Sequence, residues 1–356
     1  MAKVTHYLIT NREVSDVGRD NYIQVGKEFL RIDGRESAHD NLRFGEIAFE
    51  ETHHNKDIND FEISLYPDLD YEALRNNTEK QNLSAAEELS SYKMFNTLYK
   101  KHKTKRGEKE DILFFVHGYK NDLVTALQTL SELHNLYVKP KDSTIKHIVL
   151  FAWPSRKNLL QYRDDARDAI LSGYALARAY MKLRDFFRIL LQNNKDFCMS
   201  KIHLICHSMG NRVIESMLEH LNAECWTIRN LFEEGILVGA DVDYDTLEPP
   251  KPMNHIIDLC ARVHVYYHRR DKALMVSENT KNAFNRLGLW GAKNTLSIPD
   301  DVYQCNVTDI PDPEDNILDD LEDRIINHWY YINNSLVVND IRDVLNGKVS
   351  VFSDTF

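Results

Sequence analysis

From Asp111 onward, short apolar runs alternate along the chain with longer amphipathic stretches. This alternation is typical of parallel strands that are joined by helices. Several of the runs are apolar at consecutive positions, as expected for strands that are buried on both faces of a sheet. The predicted strands are Ile112–Val116, His147–Ala152, Ile202–Cys206, Gly235–Gly239, Arg262–Tyr267 and Val302–Val307. The pattern therefore predicts an α/β fold with a doubly wound, mostly parallel sheet and helices on both faces.

The amphipathic stretches predict helices at Asp122–Tyr137, Leu159–Leu191, Met209–Leu221, Lys272–Leu287 and Leu336–Leu345. Gly288 and Gly347 stand where a left-handed C-terminal cap is expected, and Ser335 precedes the last helix as an N-cap would. The stretch beginning at Leu159 is long and contains Gly173, which predicts two helices or a helical excursion over the sheet.

Residues 1–110 carry shorter, partly alternating runs and one helical stretch after Ser84. The elements predicted here are strands at Tyr7–Thr10, Phe29–Ile32, Glu46–Phe49 and Phe61–Leu65 and a helix at Ala85–His102. The charged run Lys101–Glu110 predicts a solvated connector. We expect residues 1–110 to add strands and a helix to the domain formed by residues 111–356, which include the helical excursion at 156–193. A separate small N-terminal domain is the alternative.

Composition narrows the class of protein. Lys and Arg number 44 against 55 Asp and Glu, so the formal net charge of the 356 residues is −11. Binding to the phosphates of a nucleic acid requires clustered positive charge, so no nucleic-acid partner is expected. The hydrophobic fraction of 43% is that of a globular protein and is too high for a disordered chain.

Location is predicted from apolar runs and cysteines. The first residues contain no apolar stretch of the about 7 to 15 residues found in a signal peptide. No apolar run approaches the about 20 residues that span a bilayer, so no transmembrane segment is expected. The five cysteines are odd in number, and no two are spaced as a metal knuckle or a redox pair requires. These features predict a cytoplasmic protein with reduced thiols.

The strongest chemical signal is a serine between a predicted strand and a predicted helix. The strand Ile202–Cys206 runs into His207, Ser208, Met209 and Gly210. This is the context of a nucleophile elbow, whose usual pattern is Gly-x-Ser-x-Gly, although cysteine stands here at the first glycine position. The serine could be only the N-cap of the helix. A cap does not explain the glycine in the first turn, where glycine costs about 1 kcal/mol relative to alanine. We therefore predict Ser208 as a nucleophile.

A serine nucleophile needs a general base, and the base needs an orienting carboxylate. In doubly wound hydrolases these residues follow the serine in the order acid, then histidine. The strand Arg262–Tyr267 is followed by His268-Arg269-Arg270-Asp271. Asp271 is the favoured acid, because functional sites are found at the carboxyl ends of parallel strands. The alternative is that Asp271 only stabilises the N-terminus of the helix that begins at Lys272, as acidic residues commonly do. Asp241 and Asp243, after the preceding strand, are the alternative acids.

His328 is the candidate base, because it lies after both the serine and the acid in the chain. An ordinary histidine beside aromatic packing residues is the alternative reading of this position. His264 and His268 lie within or just past a strand and are expected to point into packing or solvent. His255 precedes the favoured acid, which breaks the expected order.

An acyl-transfer site also needs N–H donors for the developing oxyanion. The backbone N–H of Met209, next to the nucleophile, is one candidate. The N–H of Tyr119 is the second, because His117, Gly118 and Tyr119 end an early strand and Gly118 allows the backbone to turn. His117 is then expected to position this loop. A plain strand-ending turn is the alternative.

Several motifs occur along the chain in the same order as in a known family. The chain is similar to the mostly bacterial branch of the α/β-hydrolase superfamily known as alpha/beta hydrolases of unknown function, domain of unknown function 900. The motifs are Thr10-Asn11-Arg12, Val116–Tyr119, Phe151–Ser155 followed by Tyr162 and Asp165, His207–Asn211, Gly239–Asp243, and Asp271–Leu274 with Leu287-Gly288. They cover about residues 5 to 290, and His328 fits the family's later histidine. The resemblance implies a hydrolase fold with Ser208, Asp271 and His328 as the triad.

Five residues around the predicted site are candidates for contact with substrate or for orienting the loops beside it. Trp153 follows a predicted strand and either lines an acyl pocket or covers the core. Tyr162 and Asp165 lie one turn apart on a helix and either orient a loop or substrate or form a surface pair. His117 and Gly118 are expected to contact substrate from the oxyanion loop.

The sequence thus favours a serine hydrolase, esterase-like or lipase-like, that cleaves an ester, thioester or related acyl bond in a small or lipid-like substrate. Such chemistry needs no metal or organic cofactor. The long helical segment 159–191 is expected to cap the pocket, which favours apolar acyl groups. The alternative is a binding or scaffold protein that keeps the fold without turnover. Metal-dependent hydrolysis is disfavoured, because no His-Glu-x-x-His motif is present.

Overall fold

Most of the predicted elements fall within the part of the chain that the structure describes. The computed structural model describes residues 2–14, 23–24, 29–30, 42–51, 55, 57–66, 89–103, 110–155, 162–192, 200–223, 230–281, 284–311 and 326–353. Parts of the predicted elements lie outside these residues, namely 31–32, 85–88, 104–109, 156–161, 193 and 282–283, as do Cys198 and Cys225.

A ten-stranded sheet is the centre of the described fold. The strands are β1 Lys3–Thr10, β2 Glu13–Val14, β3 Ile23–Gln24, β4 Phe29–Leu30, β5 Arg43–Glu50, β6 Phe61–Leu65, β7 Asp111–Val116, β8 Ile145–Ala152, β9 Ile202–His207, β10 Phe232–Val238, β11 Cys260–Tyr267 and β12 Val302–Asn306. The sheet order is β12-β11-β10-β9-β7-β8-β1-β5-β6-β3, and β2 pairs with β4 separately. Neighbours from β12 to β1 are parallel, whereas β5, β6 and β3 pair antiparallel. The predicted mostly parallel sheet is confirmed.

Helices cover both faces of this sheet. They are α1 Ser90–Lys103, α2 Leu123–Leu133, α3 Tyr162–Gln192, α4 Gly210–Ala223, α5 Ile256–Leu259, α6 Lys272–Lys281, α7 Leu287–Trp290, α8 Tyr330–Asn333 and α9 Ser335–Leu345. Alternate residues of β7 point to two separate apolar cores. Ile112 and Val116 pack in the core with α1, α3 and α4, whereas Leu113 and Phe115 pack in the core with α2 and α9.

The long helical stretch is one helix and not two. α3 has 31 residues and is therefore about 46 Å long. Gly173 lies in its interior, where an added Cβ would stand 2.5 Å from the Cβ of Ser216 on α4. The hydroxyl of Ser216 donates to the Ile170 carbonyl at 2.8 Å. The glycine therefore lets two helices approach closely, and the prediction that it divides the helix is wrong.

Two of the three predicted helix caps differ from the structure. The helix predicted as Lys272–Leu287 ends at Lys281, and Gly288 lies inside the short helix α7 rather than in a C-terminal cap. Asn334, not Ser335, caps α9, because its side chain accepts the N–H groups of the second and third residues that follow it. The left-handed Gly347 after α9 is confirmed, with a φ of +88°.

The N-terminal strands β1, β5 and β6 belong to the same sheet as the later strands, since β1 pairs with β8. The division of the chain into domains stays a prediction. Within the described ranges, no helix combines the length and the apolar character needed to cross a membrane. Cys206, Cys260 and Cys305 are buried free thiols.

A buried pair of histidines joins β1 to the turn after α2. His6 accepts the N–H of Ile148 on Nδ1 at 3.1 Å, and its Nε2 lies 3.0 Å from Nδ1 of His134. Nε2 of His134 lies 3.4 Å from a carboxylate oxygen of Glu51. These partners assign the proton of each ring to Nε2. Burial lowers the pKa of His6 well below its usual value and also lowers the pKa of His134.

This pair predicts a loss of stability in mild acid. Because the pKa of His6 is lower in the folded chain, the unfolded chain binds more protons below its ordinary pKa of about 6.5. The free energy of unfolding should therefore fall as the pH decreases from about 6.5. In His6→Gln, the slope of this free energy against pH should become less steep by up to about 1.4 kcal/mol per pH unit in urea unfolding. His255→Gln, at a partly exposed site, is the control. Equal slopes for His6→Gln and the wild type would contradict the prediction.

Candidate active site

Ser208 occupies a strained turn between a strand and a helix. β9 ends at His207 and α4 begins at Gly210, so the serine lies directly after the carboxyl end of the strand. Its φ is +53°, in the left-handed region that residues other than glycine rarely adopt. Backbone strain of this kind persists only where the surrounding structure holds it. The turn therefore has the conformation that a nucleophile elbow requires.

Close packing explains the glycines around this turn. An added Cβ on Gly210 would lie 2.6 Å from the Val116 carbonyl oxygen, and one on Gly118 would lie 2.7 Å from the Cβ of Ser208. Cys206, at the first position of the elbow pattern, is fully buried and is accommodated in the core. Burial raises the pKa of its thiol well above the usual value, so the group is neutral.

Asn211 and the neighbouring strand hold the backbone of the turn. The Asn211 side chain donates to the carbonyl oxygens of Cys206 at 3.2 Å and of Ser208 at 3.0 Å. The N–H of Ser208 donates to the Val238 carbonyl at the end of β10, at 3.0 Å. Asn211 belongs to the motif noted in the sequence, but its side-chain role was not predicted. Only the folded turn shows that one amide group reaches two carbonyl oxygens.

The structure brings His328 and Asp271 together. Nδ1 of His328 lies 2.6 Å from Oδ2 of Asp271, and both residues are buried. Asp271 lies four residues after the end of β11 and also accepts the N–H of Leu274 at 3.0 Å. Burial by itself would lower the pKa of His328, but the charge and hydrogen bond of Asp271 outweigh it and raise the pKa. With Nδ1 donating to the carboxylate, Nε2 of His328 keeps its lone pair.

Ser208 and the His328–Asp271 pair both lie beside the carboxyl end of β10. Gly239, the residue after this strand, has a φ of +52°, and an added Cβ there would lie 3.1 Å from two atoms of the His328 ring. The adjacent Val238 accepts the N–H of Ser208. Among the hydrogen bonds of the described residues, none joins the Ser208 hydroxyl to His328. Catalytic hydrogen bonds are often long before substrate binds, so proximity is the informative observation.

The two alternative acids have other partners. Asp241 accepts hydrogen bonds from the hydroxyls of Tyr162 at 2.7 Å and Ser277 at 2.9 Å. Asp243 pairs with Nη2 of Arg286 at 3.0 Å. Asp241 still acts on the site at a distance, because its charge contributes to the raised pKa of His328.

The three other histidines considered as the base have other partners. His255 pairs with Asp258 at 3.0 Å. His264, in the middle of β11, lies 3.1 Å from a carboxylate oxygen of Glu234 and is buried in packing, as predicted. His268 accepts the N–H of Arg270 at 3.0 Å and is also buried.

His117 anchors the loop that follows β7. The indole of Trp153 stacks on its ring at a centroid distance of 5.3 Å, and the N–H groups of Trp153 donate to His117 at Nε2 and at the carbonyl oxygen. Nδ1 of His117 donates to the Gly118 carbonyl at 2.9 Å. Burial, with the nearby charge of Arg12, lowers the pKa of His117 to about 3, so the ring is neutral. Trp153 is fully buried, which favours its core-covering role over the lining of an open pocket.

Asn121 fixes the peptide planes of this loop. Its side-chain amide donates to the carbonyl oxygens of Gly118 at 3.1 Å and Tyr119 at 3.0 Å. In a trans peptide the N–H points opposite to the C=O, so the N–H of Tyr119 faces away from Asn121. Arg12 supports the loop from β1 by donating to the Asn121 carbonyl at 2.9 Å. No sequence pattern indicated Asn121, whose backbone contacts with Arg12 and Ser155 join separate parts of the chain.

Tyr162 and Asp165 are buried and do not form a surface pair. The Ser155 hydroxyl donates to Asp165 at 3.0 Å and lies 3.4 Å from the N–H of Asn121. The Tyr162 ring lies 5.4 Å from that of Tyr119. The first turn of α3 therefore supports the loop that follows β7, as the loop-orienting alternative proposed.

The second half of α3 lies at the far end of the strands from the serine. From Leu176 to Leu190 it lines a cavity together with Ile202, at the opposite end of β9 from Ser208. The first turn of α3, in contrast, contacts the loop that follows β7. The expectation that segment 159–191 caps the pocket therefore stays a prediction for its first half.

Comparison with known proteins agrees with this architecture. Searches of curated proteins and of solved structures gave no match. A family model described as alpha/beta hydrolase of unknown function (DUF900) matches residues 90–345. The match runs from the start of α1 to the end of α9. It differs from the range of about 5 to 290 that the motifs predicted, because it includes His328 and excludes Thr10-Asn11-Arg12. The chain therefore belongs to this family of alpha/beta hydrolases.

Proposed function

We propose that the protein is a serine hydrolase that cleaves an ester, thioester or related acyl bond through an acyl-enzyme. The observation that carries the proposal is the left-handed Ser208 beside the 2.6 Å contact between His328 and Asp271. Family membership supports hydrolase activity in general. The serine, the acid and the histidine also follow one another in the order used by doubly wound hydrolases.

In the proposed reaction, Nε2 of His328 accepts the hydroxyl proton of Ser208 while the oxygen attacks the acyl carbon. Asp271 holds the Nδ1–H of the imidazole and stabilises the imidazolium that forms. The imidazolium then protonates the leaving group, and the acyl group stays on the serine. A water molecule, deprotonated by the same histidine, attacks the acyl-enzyme and releases the acid.

The oxyanion of each tetrahedral intermediate would accept hydrogen bonds from the N–H groups of Met209 and Tyr119. Met209 directly follows the nucleophile at the start of α4. Tyr119 follows Gly118, which lies against the serine, and Asn121 orients its peptide. Donors held by buried hydrogen bonds need little reorganisation when the charge develops, which is the source of their effect on rate.

A fluorescent fluorophosphonate tests the proposal without knowledge of the substrate. We expect covalent labelling of the wild type at about one site per chain and none in Ser208→Ala, because the reagent reacts with an activated serine. Ser216→Ala removes another buried serine, one whose hydroxyl contacts only a helix carbonyl, and should leave the labelling intact. A folded wild type that remains unlabelled would contradict the proposal and favour a binding or scaffold protein.

A further inference from the structure

His207 lies between the candidate nucleophile and the candidate base. It is the last residue of β9, directly before Ser208, and it is 1% exposed. Its Nε2 atom lies 3.1 Å from the backbone carbonyl oxygen of His328. A carbonyl oxygen only accepts hydrogen bonds, so this contact assigns a proton to Nε2 of His207. The imidazole of His207 therefore donates a hydrogen bond to the main chain of the residue proposed as the base.

The ring of His207 also packs against the aromatic segment that carries the base. Its centroid lies 4.7 Å from that of the His328 ring, 4.4 Å from that of Trp329 and 4.8 Å from that of Tyr331. All three of these residues are buried. Close-packed side chains have few alternative positions, so the ring contacts and the hydrogen bond together restrict the main chain and the ring of His328.

The loop that follows β7 touches the same imidazole. A Cβ added to Gly118 would lie 3.0 Å from Nδ1 of His207 and 2.7 Å from the Cβ of Ser208. Gly118 precedes Tyr119, whose N–H is proposed as an oxyanion donor. One side chain thus contacts both the segment that carries the base and the loop that carries the donor, and it belongs to the residue joined by a peptide bond to the nucleophile.

The position of the base is not set by the sheet alone. His328 ends a three-residue 3₁₀ helix, Ile326–His328, which lies outside the strands. Ser208, in contrast, directly follows β9, which pairs with β7 on one side and β10 on the other. His207 links the turn fixed by the sheet to the segment outside it.

We propose that His207 is a positioning residue, which holds Nε2 of His328 in the orientation needed to accept the proton of Ser208. This role rests on the function proposed above. His207 neither touches the substrate nor exchanges a proton in the reaction. Its hydrogen bond and ring contacts keep the Nδ1–H of His328 directed at Asp271 and thereby keep Nε2 directed at the serine. A displacement of about 1 Å in an active site can lower the rate by about 10²-fold, so such a contact has a large effect on turnover.

A matched pair of amide variants tests the hydrogen bond. In His207→Gln, an amide N–H lies at the position of Nε2 and still reaches the His328 carbonyl. In His207→Asn, the amide lies one bond nearer the main chain, at the position of Nδ1, and does not reach it. For a p-nitrophenyl ester, we expect the turnover number to fall by about 10²-fold in His207→Asn and by less than about tenfold in His207→Gln, with KM unchanged in both.

Two further variants serve as controls. His264→Asn removes another buried imidazole, one that contacts Glu234, and should leave the turnover number unchanged. His207→Phe keeps a packed ring without a donor and should show the same loss as His207→Asn. The comparison with His207→Gln is therefore retained if the asparagine variant does not fold.

Nuclear magnetic resonance with ring-¹⁵N-labelled histidine gives a readout that does not require activity. The Nδ1–H of His328 should give a downfield proton resonance, because it is hydrogen-bonded to a buried carboxylate 2.6 Å away. His328→Gln, which lacks the ring, assigns this resonance. We expect it to persist in His207→Gln and in His264→Asn and to be lost or broadened in His207→Asn.

Wild-type turnover and an unchanged resonance in His207→Asn would overturn the proposal, as would equal losses in His207→Asn and His207→Gln. Failure of the proposed function has a different signature. A wild type that is neither labelled by fluorophosphonate nor active, but whose His328 resonance still depends on His207, would overturn the hydrolase function and support the positioning of the imidazole.

Discussion

Asp271→Asn is expected to lower the turnover number for an activated ester by about 10⁴-fold, the effect of this change in the Ser-His-Asp template. The asparagine amide would offer an N–H or a neutral oxygen where the carboxylate now lies 2.6 Å from Nδ1 of His328. An N–H at that position would force the proton of the ring onto Nε2, which could then no longer accept the proton of Ser208. The variant also loses the charge that raises the pKa of His328. The measurement is hydrolysis of a p-nitrophenyl ester, with the rate of fluorophosphonate labelling as a second readout.

Asp241→Asn is the matched control, because Asp241 is an equally buried carboxylate that contacts Tyr162 and Ser277 instead of a histidine. Its loss removes only a more distant charge, so the turnover number should change by less than about tenfold. A large loss in Asp241→Asn together with near-normal turnover in Asp271→Asn would reverse the assignment of the acid. Thermal unfolding of both variants verifies that the fold is retained.

Arg286→Met is expected to lower the free energy of unfolding by about 3 kcal/mol, near the lower end of the range for breaking a buried ion pair. Arg286 is 1% exposed, with Nη2 at 3.0 Å from Asp243 and Nε at 3.8 Å from Asp241. Without the guanidinium, the buried charge of Asp241 loses its neighbouring cation. The effect is not expected to reach the upper end, because Nε and Nη1 of Arg286 lack hydrogen-bond partners in the described structure.

Urea unfolding measures this effect. A control variant and a double variant test whether it comes from the lost ion pair. Arg188→Met removes an exposed arginine with one ion pair on α3 and should change the free energy of unfolding by less than about 0.5 kcal/mol. Asp241→Asn combined with Arg286→Met should recover part of the loss, since the double variant no longer buries an uncompensated charge. A loss below about 1 kcal/mol in the single variant would show that the arginine contributes little beyond packing.

The candidate nucleophile shows how far a local pattern reaches. A strand, a serine and a glycine at the right spacing predict a tight turn, and the structure shows Ser208 at a φ of +53°. The partners of the serine depend on long-range placement. Asp271 and His328 are 57 residues apart in the chain. Their order after the serine favoured them as acid and base, but Asp241 and Asp243 remained alternative acids. Their 2.6 Å contact arises only when β11 and the 3₁₀ turn before α8 meet at one edge of the sheet.

The sequence by itself determined the parallel strands and the turn at Ser208, because these follow from polarity patterns and residue types within a few positions. Tertiary structure alone decided that Asn121 and Asn211 hold the loops around the serine, that α3 is a single helix packed on α4 at Gly173, and that its cavity lies far from the nucleophile. The continuity of α3, its packing at Gly173 and the position of the cavity depend on contacts between segments distant in sequence, whereas the hydrogen bonds of Asn121 and Asn211 are local and depend on the conformation of each folded turn. Periodicity and propensity describe one segment at a time, so they contain no information about which segments meet.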